Sequence, residues 1–360
     1  MILFGLLAMP FVVGAAAYLI TKTTITWKEY LLMTVISAAM ALGGYQLAKW
    51  GAMHDFENWN GRITKKDHGT QGCCHCREVC DSRDKDGNCT SSHTECDHIM
   101  DYWWSADVST GDTLTDGCNG WDITPEWWEK AYVGEPAAVE HGYQNYLRAD
   151  PDSLMTPAAE QYMDQVPERP KVTGWYHVRR VIAHQGSSVG IPTIWQKELD
   201  EMNADLGRKH QVDVLLLLTA LKDPKFAEAV KAKWLYGAKN GVTVVLGVPD
   251  GQTIEWARVV TLSDVETLKI EIRDELPGKR LDDPAILPFI RKEIEMQFTR
   301  TPMAEYEYLA SAVKPSFWAT VGLYLGNLVV IVGLAFWMHR ADVFGDEAWS
   351  SRLGFRHRRW

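Results

Sequence analysis

Three long segments without a charged residue constrain the fold of this 360-residue chain more than any other feature. They are residues 1–20, 30–48 and 317–338. A helix needs about 20 apolar residues to cross the hydrocarbon core of a bilayer, and each segment is close to that length. Trp318 and Trp337 lie at the two ends of the third segment, as expected for side chains at a membrane interface. We therefore predict three transmembrane helices in a lipid bilayer.

The first apolar segment has a second interpretation, because a secretory signal peptide also begins a chain with an apolar run. Such peptides carry positive charge before the apolar run, and residues 1–20 carry none. We favour a membrane helix and leave a cleaved signal peptide as the alternative.

Basic residues beside the apolar segments predict the topology. Positive charges that flank membrane helices stay in the cytoplasm. Residues 21–29 contain Lys22 and Lys28, and residues 339–360 contain five arginines, Arg340, Arg352, Arg356, Arg358 and Arg359. The loop 21–29 and the C-terminal tail are therefore expected in the cytoplasm, with the N-terminus and the large central region outside.

The central region is acidic, because the whole chain has a net charge of −10 while the loop and the tail are positive. The phosphate backbone of a nucleic acid requires positive charge on its partner. We therefore predict no nucleic-acid partner.

All cysteines lie in a polar, glycine-rich module, residues 52–150. Dense cysteine in a small polar segment is typical of disulfides in an oxidising compartment. The disulfide candidates are Cys73, Cys74, Cys76, Cys80, Cys89, Cys96 and Cys118. The odd number leaves at least one thiol over or one pairing between chains, and the spacing does not define the connectivity.

Zinc is the alternative for the cysteine-rich module, since His75, His93 and His98 lie among the cysteines. The spacing does not contain the two separated CxxC pairs of a zinc ribbon, so we favour disulfides. The same module contains two tryptophan pairs, Trp103–Trp104 and Trp127–Trp128. Such pairs form either an aromatic binding platform or a small core, and we favour the core.

The second half of the chain changes character. Residues 151–170 are rich in proline and predict a linker. Residues 171–316 predict the order strand, helix, strand, helix, strand, strand, helix, helix, with two continuous apolar runs typical of buried strands. Such alternation predicts a mixed α/β or α+β domain, a sheet covered by helices.

Residues 192–300 resemble the TPM domain family. The resemblance is carried by four segments, Leu206-Gly207, Val212-Asp213-Val214-Leu215-Leu216, Phe226-Ala227 to Trp234, and Lys239-Asn240-Gly241-Val242-Thr243-Val244-Val245. It implies a sheet-and-helix domain tethered by a membrane helix. Some family members act as acid phosphatases or bind divalent metal through loop carboxylates, which implies Ca²⁺ or Mg²⁺ here, with Asp213 and Asp250 as weak candidate ligands.

Residues 55–310 also resemble an uncharacterised membrane-protein family of large tailed bacteriophages. The matching segments are Trp59-Asn60-Gly61, Gly134-Glu135-Pro136, Tyr143-Gln144-Asn145-Tyr146 and Ala149-Asp150-Pro151-Asp152-Ser153-Leu154. This resemblance implies a location in the inner membrane of the bacterial host, with the central region in the periplasm. It implies no activity.

The sequence contains no Walker, HExxH or GxGxxG motif, and we assign no catalytic residue. The leading hypothesis is a membrane-anchored binding or assembly protein with an envelope protein as partner, or one that self-associates. Gly322 and Gly326, four residues apart, permit close packing of the last helix. The alternative is a metal-dependent phosphatase of the TPM type.

Overall fold

The structure is a computed structural model that describes residues 2–21, 26–149, 154–184 and 189–341. Lys22 and the arginines after residue 341, on which much of the predicted topology depends, lie outside the described residues. Contacts divide the chain into two compact units. The helical unit comprises Met1–His54, Tyr146–Asp150 and Tyr308–Trp360, and the polar unit comprises Asp55–Asn145 and Pro151–Glu307.

Three helices form the helical unit: α1, Ile2–Thr21, α2, Trp27–Met53, and α9, Phe317–Ala341. Two segments in the described part of the chain, Trp27–Met53 and Phe317–Met338, are long and apolar enough to cross a membrane. Helix α1 contains a shorter apolar stretch, Phe4–Leu19. Helix α2 begins at a capping box, in which the Thr26 backbone N–H donates to Glu29 Oε2 at 2.6 Å. A 3-10 helix, Tyr146–Ala149, completes the unit.

A buried polar contact joins the three helices. Pro10 lies inside α1 and has no N–H, so the helix cannot satisfy the carbonyl of Leu6 four residues earlier. Two side chains replace that donor: Ser37 Oγ donates to Leu6 O at 2.9 Å, and Asn327 Nδ2 donates at 3.2 Å. Asn327 Nδ2 also lies 2.9 Å from Ser37 Oγ. The proline of α1 is thus matched by one polar residue from each neighbouring helix.

The predicted packing residues of the last helix, Gly322 and Gly326, face open space. A Cβ atom placed on either glycine would meet no atom within 4 Å. The three-helix packing therefore leaves both glycines uncovered, and their role in self-association stays a prediction.

The first sheet of the polar unit has four strands in the order β5-β4-β1-β6. These are β1, His54–Gly72, β4, Met100–Val108, β5, Thr113–Asn119, and β6, Pro136–Gln144. Strand β4 pairs antiparallel with both β1 and β5. A separate hairpin of β2, Cys76–Arg83, and β3, Cys89–Cys96, leaves the sheet between β1 and β4; we call it the ribbon. The short helix α3, Glu126–Lys130, follows β5.

The first sheet has a small core, and tryptophans of the two predicted pairs contribute to it. Trp104 is 2% exposed, and Trp127 packs against the buried cluster around Ile63, Ala106 and Val108. Trp128 lies against the same strand, because its Nε1 donates to Ser105 O at 2.8 Å. These rings fill space between secondary-structure elements.

The second sheet has the order β12-β11-β10-β9. Strands β9, Val181–Ala183, β10, Asp213–Thr219, and β11, Gly241–Gly247, are parallel, and β12, Trp256–Thr261, is antiparallel to β11. Every residue of β10 and β11 is buried, as the continuous apolar runs predict. The strand predicted at the start of this region is divided into β7, Val172–Thr173, β8, His177–Val178, and β9, because Gly174 and Trp175 form a turn with φ of 55° and 82°.

Helices cover both faces of the second sheet. One core contains residues of α5, Trp195–His210, α7, Glu266–Glu275, and α8, Ile286–Gln297. The other contains residues of α4, Pro157–Tyr162, and α6, Phe226–Trp234. From β9 onwards the elements follow in the order that the sequence predicts. The fold is therefore mixed α+β, and a 3-10 helix, Met303–Ala312, precedes α9.

The first half of β1 lies against the second sheet through buried polar side chains, which we call the polar seam. The seam residues of β1 are Asp55, Glu57, Asn58 and Asn60, none more than 9% exposed. Each carboxylate has a basic partner: Asp55 pairs with Arg169 at 2.5 Å, and Glu57 pairs with Arg300 at 2.6 Å and Lys239 at 3.1 Å. Residues 55–145 and 171–307, which differ so much in composition, therefore belong to one compact unit.

Candidate functional site

Three disulfides in the cysteine-rich region confirm the prediction of disulfide bonds. They join Cys74 to Cys118, Cys76 to Cys96, and Cys80 to Cys89. Cys73 is the free thiol among the seven cysteines, all of which the structure describes. The odd cysteine count predicts such a residue, whereas the spacing alone does not say which one it is.

Strand register explains why so many reactive side chains meet at the base of the ribbon. Gly72, at the end of β1, pairs with Met100, at the start of β4, and Cys76 pairs with Cys96 in the ribbon. The connecting residues 73–75 and 97–99 must therefore run side by side. The Asp97 N–H donates to His75 O at 3.4 Å between them.

The free thiol lies within two groups of possible metal-ligating atoms. The sulfur atoms of Cys73, Cys76 and Cys96 all lie within 4.8 Å of one another. Cys73 Sγ, a ring nitrogen of His98 and a carboxylate oxygen of Asp101 also lie within 4.8 Å of one another. Cys73 and His98 are half-buried, so both remain accessible to solvent. A thiol thus lies within 4.8 Å of both a disulfide and an imidazole–carboxylate pair.

Asp101 connects the two segments of this site through hydrogen bonds to Cys74 and His98. Its side chain is completely buried, its Oδ2 accepts the Cys74 backbone N–H at 2.6 Å, and its Oδ1 is hydrogen-bonded to His98 Nε2. Burial raises the pKa of the Asp101 carboxyl, but the hydrogen bonds from Cys74 and His98 outweigh burial and hold the pKa below its usual value. Asp101 is therefore ionised at neutral pH and orients the His98 ring.

Gly120 fixes the other side of the His98 ring. A Cβ atom at position 120 would lie 2.9 Å from His98 Cε1 and Nδ1, so only glycine leaves room for the imidazole. The contact brings the segment after β5 next to the segment before β4.

Large apolar side chains that are exposed to solvent lie beside this junction along the chain. Ile99 is 90% exposed and Trp121 is 74% exposed, and they are the chain neighbours of His98 and Gly120. Two further members complete this set, which we call the apolar rim: Met100 and Ile123. Exposed apolar side chains grouped in one place are typical of surfaces that bind another molecule.

The ribbon itself has almost no buried side chains. All of β3 is exposed, and in β2 Val79 and Cys80 are the half-buried exceptions. Paired polar groups lie along it, such as Arg77 with Glu95 at 2.8 Å and His93 with Asp81 at 2.6 Å. Because burial supplies little stabilisation, the two disulfides between its strands must hold its conformation.

The candidate metal ligands of the second sheet are not brought together. Asp213 begins β10, whereas Asp250 follows β11 at the opposite end of the parallel strands. Six residue steps along β10 separate the two ends by about 20 Å, so one cation cannot contact both carboxylates. Asp213 is buried and its oxygens are occupied by Arg180, Asn58 and Asn60.

Asp250 has a local role in its turn. Its Oδ1 accepts the N–H groups of Gln252 and Thr253, at 2.8 and 2.7 Å, and these hydrogen bonds lower its pKa. It lines an open depression of about 510 Å³ with Lys222, Thr253 and Glu255. The described residues show no group of three His, Cys, Asp or Glu ligand atoms at this depression.

Comparisons with protein-family models, with characterised proteins and with solved structures give no match to this chain. The site must therefore be interpreted from its own residues. Sequence reasoning identified the cysteines and His98, but it did not identify Asp101. One feature of the sequence could have indicated Asp101: it lies three residues after His98, at the start of a strand rich in aromatic residues.

Proposed function

We propose that the protein is anchored in a bacterial inner membrane and binds a protein partner of the cell envelope through the apolar rim and the ribbon. The observation that carries this proposal is the rim itself: Ile99 is 90% exposed and Trp121 is 74% exposed, next to a disulfide-held hairpin whose described side chains are almost all exposed. Exposed apolar patches bordered by polar residues are typical of protein–protein interaction sites.

Three further observations support the compartment. Disulfides persist in oxidising compartments such as the periplasm. Lys28 and Arg340 lie near the ends of α2 and α9 that we assign to the cytoplasm. The resemblance to a membrane-protein family of tailed bacteriophages makes a bacterial envelope the natural setting. The second hypothesis, a metal-dependent phosphatase, loses one of its two candidate ligands to the Arg180 ion pair.

Membrane anchoring predicts how the full chain behaves in bacterial cells. We expect it to stay in the membrane pellet after carbonate extraction, because apolar helices cannot be released by high pH. Protease added to spheroplasts should degrade the polar unit, while a cytoplasmic marker protein stays intact. Extraction by carbonate, or protection of the polar unit until the membrane is lysed, would contradict the proposed topology.

Partner binding predicts position-specific crosslinking. A photocrosslinking amino acid at Trp121 in the full chain should give a discrete product in membranes, because this position lies on the rim. The matched control is Met296, which is 60% exposed on α8 far along the chain from the rim and should give none. A product of twice the chain mass would identify a second copy as the partner. Monomer alone at position 121, or the same products at both positions, would contradict the proposal.

A further inference from the structure

The residues at the base of the ribbon suggest chemistry that partner binding does not use. Residues 73–76 read Cys-Cys-His-Cys, so Cys73 and Cys76 are separated by two residues, the spacing of cysteine pairs that exchange disulfides. Cys73 is reduced, and Cys76 is bonded to Cys96 in the paired strand. We propose that these three residues form a thiol–disulfide exchange centre, in which Cys73 attacks the Cys76–Cys96 bond.

Distance supports this exchange. The three sulfur atoms lie within 4.8 Å of one another, and Cys76 Sγ lies 3.2 Å from the backbone oxygen of Cys73. A thiolate must approach a disulfide sulfur to displace the other sulfur. Here the attacking sulfur and the disulfide already lie within 4.8 Å of each other, so the approach requires only a small movement.

His98 is positioned to accept the proton of the Cys73 thiol. The thiolate, not the thiol, is the nucleophile, and His98 lies within 4.8 Å of Cys73 Sγ, oriented by the buried Asp101. His98 takes the proton of Cys73, the thiolate forms a bond to Cys76 Sγ, and the Cys76–Cys96 bond breaks. Cys96 leaves as a thiolate and is protonated by the imidazolium of His98 or by water. One disulfide replaces another, so no oxidant or reductant is consumed.

The exchange changes which part of the chain is covalently held. In the starting form the Cys76–Cys96 bond joins the two strands at the base of the ribbon. In the product Cys73 and Cys76 are joined within the short segment that leads from β1 into β2, and a thiol remains at Cys96, which is exposed. The ribbon is then held by the Cys80–Cys89 bond alone, next to the apolar rim.

The same side chains also offer soft metal ligands, because a thiolate, an imidazole and a carboxylate can bind zinc. We favour exchange because the second sulfur group, Cys76 and Cys96, is already oxidised and cannot act as a thiolate ligand. Zinc binding is the competing outcome of the test.

The test uses the full chain in detergent, purified and held at acid pH so that thiols stay protonated. A jump to pH 8 starts the exchange, and samples are returned to acid, alkylated with a maleimide and mapped by mass spectrometry. We expect the label on Cys73 at the start and on both Cys73 and Cys96 at equilibrium. Cys80 and Cys89 should stay unlabelled throughout and serve as the internal control.

Variants assign the roles. His98→Gln should slow the appearance of label at Cys96 by ~10-fold or more, as expected for loss of a general base. His93→Gln is the matched control, because His93 is a nearby histidine, in the ribbon, that pairs with Asp81, and it should leave the rate unchanged. Cys73→Ser should abolish labelling at Cys96, and Cys73→Ala provides a second variant should the serine disturb folding.

Three results would overturn the proposal. Label that stays on Cys73 at all times would show that no exchange occurs. Equal rates in the wild type and His98→Gln would remove His98 from the centre. Stoichiometric zinc in the purified protein, with Cys73 protected until a chelator is added, would make the site a metal centre. This test does not depend on partner binding, because it needs only the purified chain, so the two proposals fail separately.

Discussion

Replacing Arg180, which contacts the polar seam at Asn60, with alanine is expected to destabilise the polar unit more than any single substitution of a seam residue. Arg180 and Asp213 are 3% and 4% exposed at their side chains and form a direct ion pair. Arg180 Nη2 also donates to Asn60 Oδ1 at 2.5 Å. Removing one partner of a buried pair leaves a charge without compensation, which costs about 3–5 kcal/mol of the free energy of unfolding. Urea unfolding of the full chain in detergent, followed by tryptophan fluorescence, measures this loss.

Two comparisons show whether the loss of stability comes from the unpaired buried charge or from lost packing. Arg273→Ala removes an exposed arginine that pairs with Asp274, and exposed pairs contribute about 1 kcal/mol or less. The double variant Arg180→Ala/Asp213→Asn removes the charge that the single variant leaves unpaired, so it should be more stable than Arg180→Ala alone. If the double variant is less stable by the sum of the two single losses, the unpaired charge is not the cause.

The second sheet could be predicted from the sequence because each of its elements is encoded locally. Continuous apolar runs identify β10 and β11, and Asp250–Gly251 identifies the turn before β12. Register and chirality rules then leave few ways to arrange alternating strands and helices. Predictions of this kind depend on neighbouring residues, which the sequence displays directly.

The polar seam could not be predicted because its partners are far apart in the chain. Asn60 lies more than 140 residues before Asp213, and Glu57 pairs with Arg300 near the end of the polar unit. An acidic residue in a polar module is normally solvated, so Asp55 and Glu57 gave no reason to expect burial. The compositional change between residues 52–150 and 171–316 therefore gave no sign of these contacts.

The base of the ribbon was predictable in part. The number and density of cysteines predict disulfides and one free thiol, because both follow from composition and compartment. The pairing follows from strand register, for example Cys76 opposite Cys96. The sequence alone does not define this register. Asp101 was missed because a buried carboxylate is recognisable only when its donors, the Cys74 N–H and His98, are seen around it.

Removing the Cys74–Cys118 bond is expected to reduce the stability of the whole polar unit, whereas removing Cys80–Cys89 should affect only the ribbon. The first bond spans 44 residues and the second spans 9. In the chain-entropy model these loops correspond to about 4 and about 3 kcal/mol, a modest difference. The larger contrast comes from position, because Cys118 belongs to β5 of the first sheet, whereas Cys80 and Cys89 lie in a hairpin without a core.

Double serine variants distinguish a loss of stability in the whole polar unit from a loss of structure in the ribbon alone. Cys74→Ser/Cys118→Ser should lower the urea midpoint of the full chain, since β5 loses its covalent link to the segment that follows β1. Cys80→Ser/Cys89→Ser should leave that midpoint unchanged but allow rapid proteolysis within residues 76–96, because the hairpin has no buried side chains to keep it folded. Cys73→Ser, which keeps all three bonds, is the control for both measurements. Equal midpoints for the two double variants would mean that the ribbon shares the core of the first sheet, and its role as a covalently held binding element would have to be abandoned.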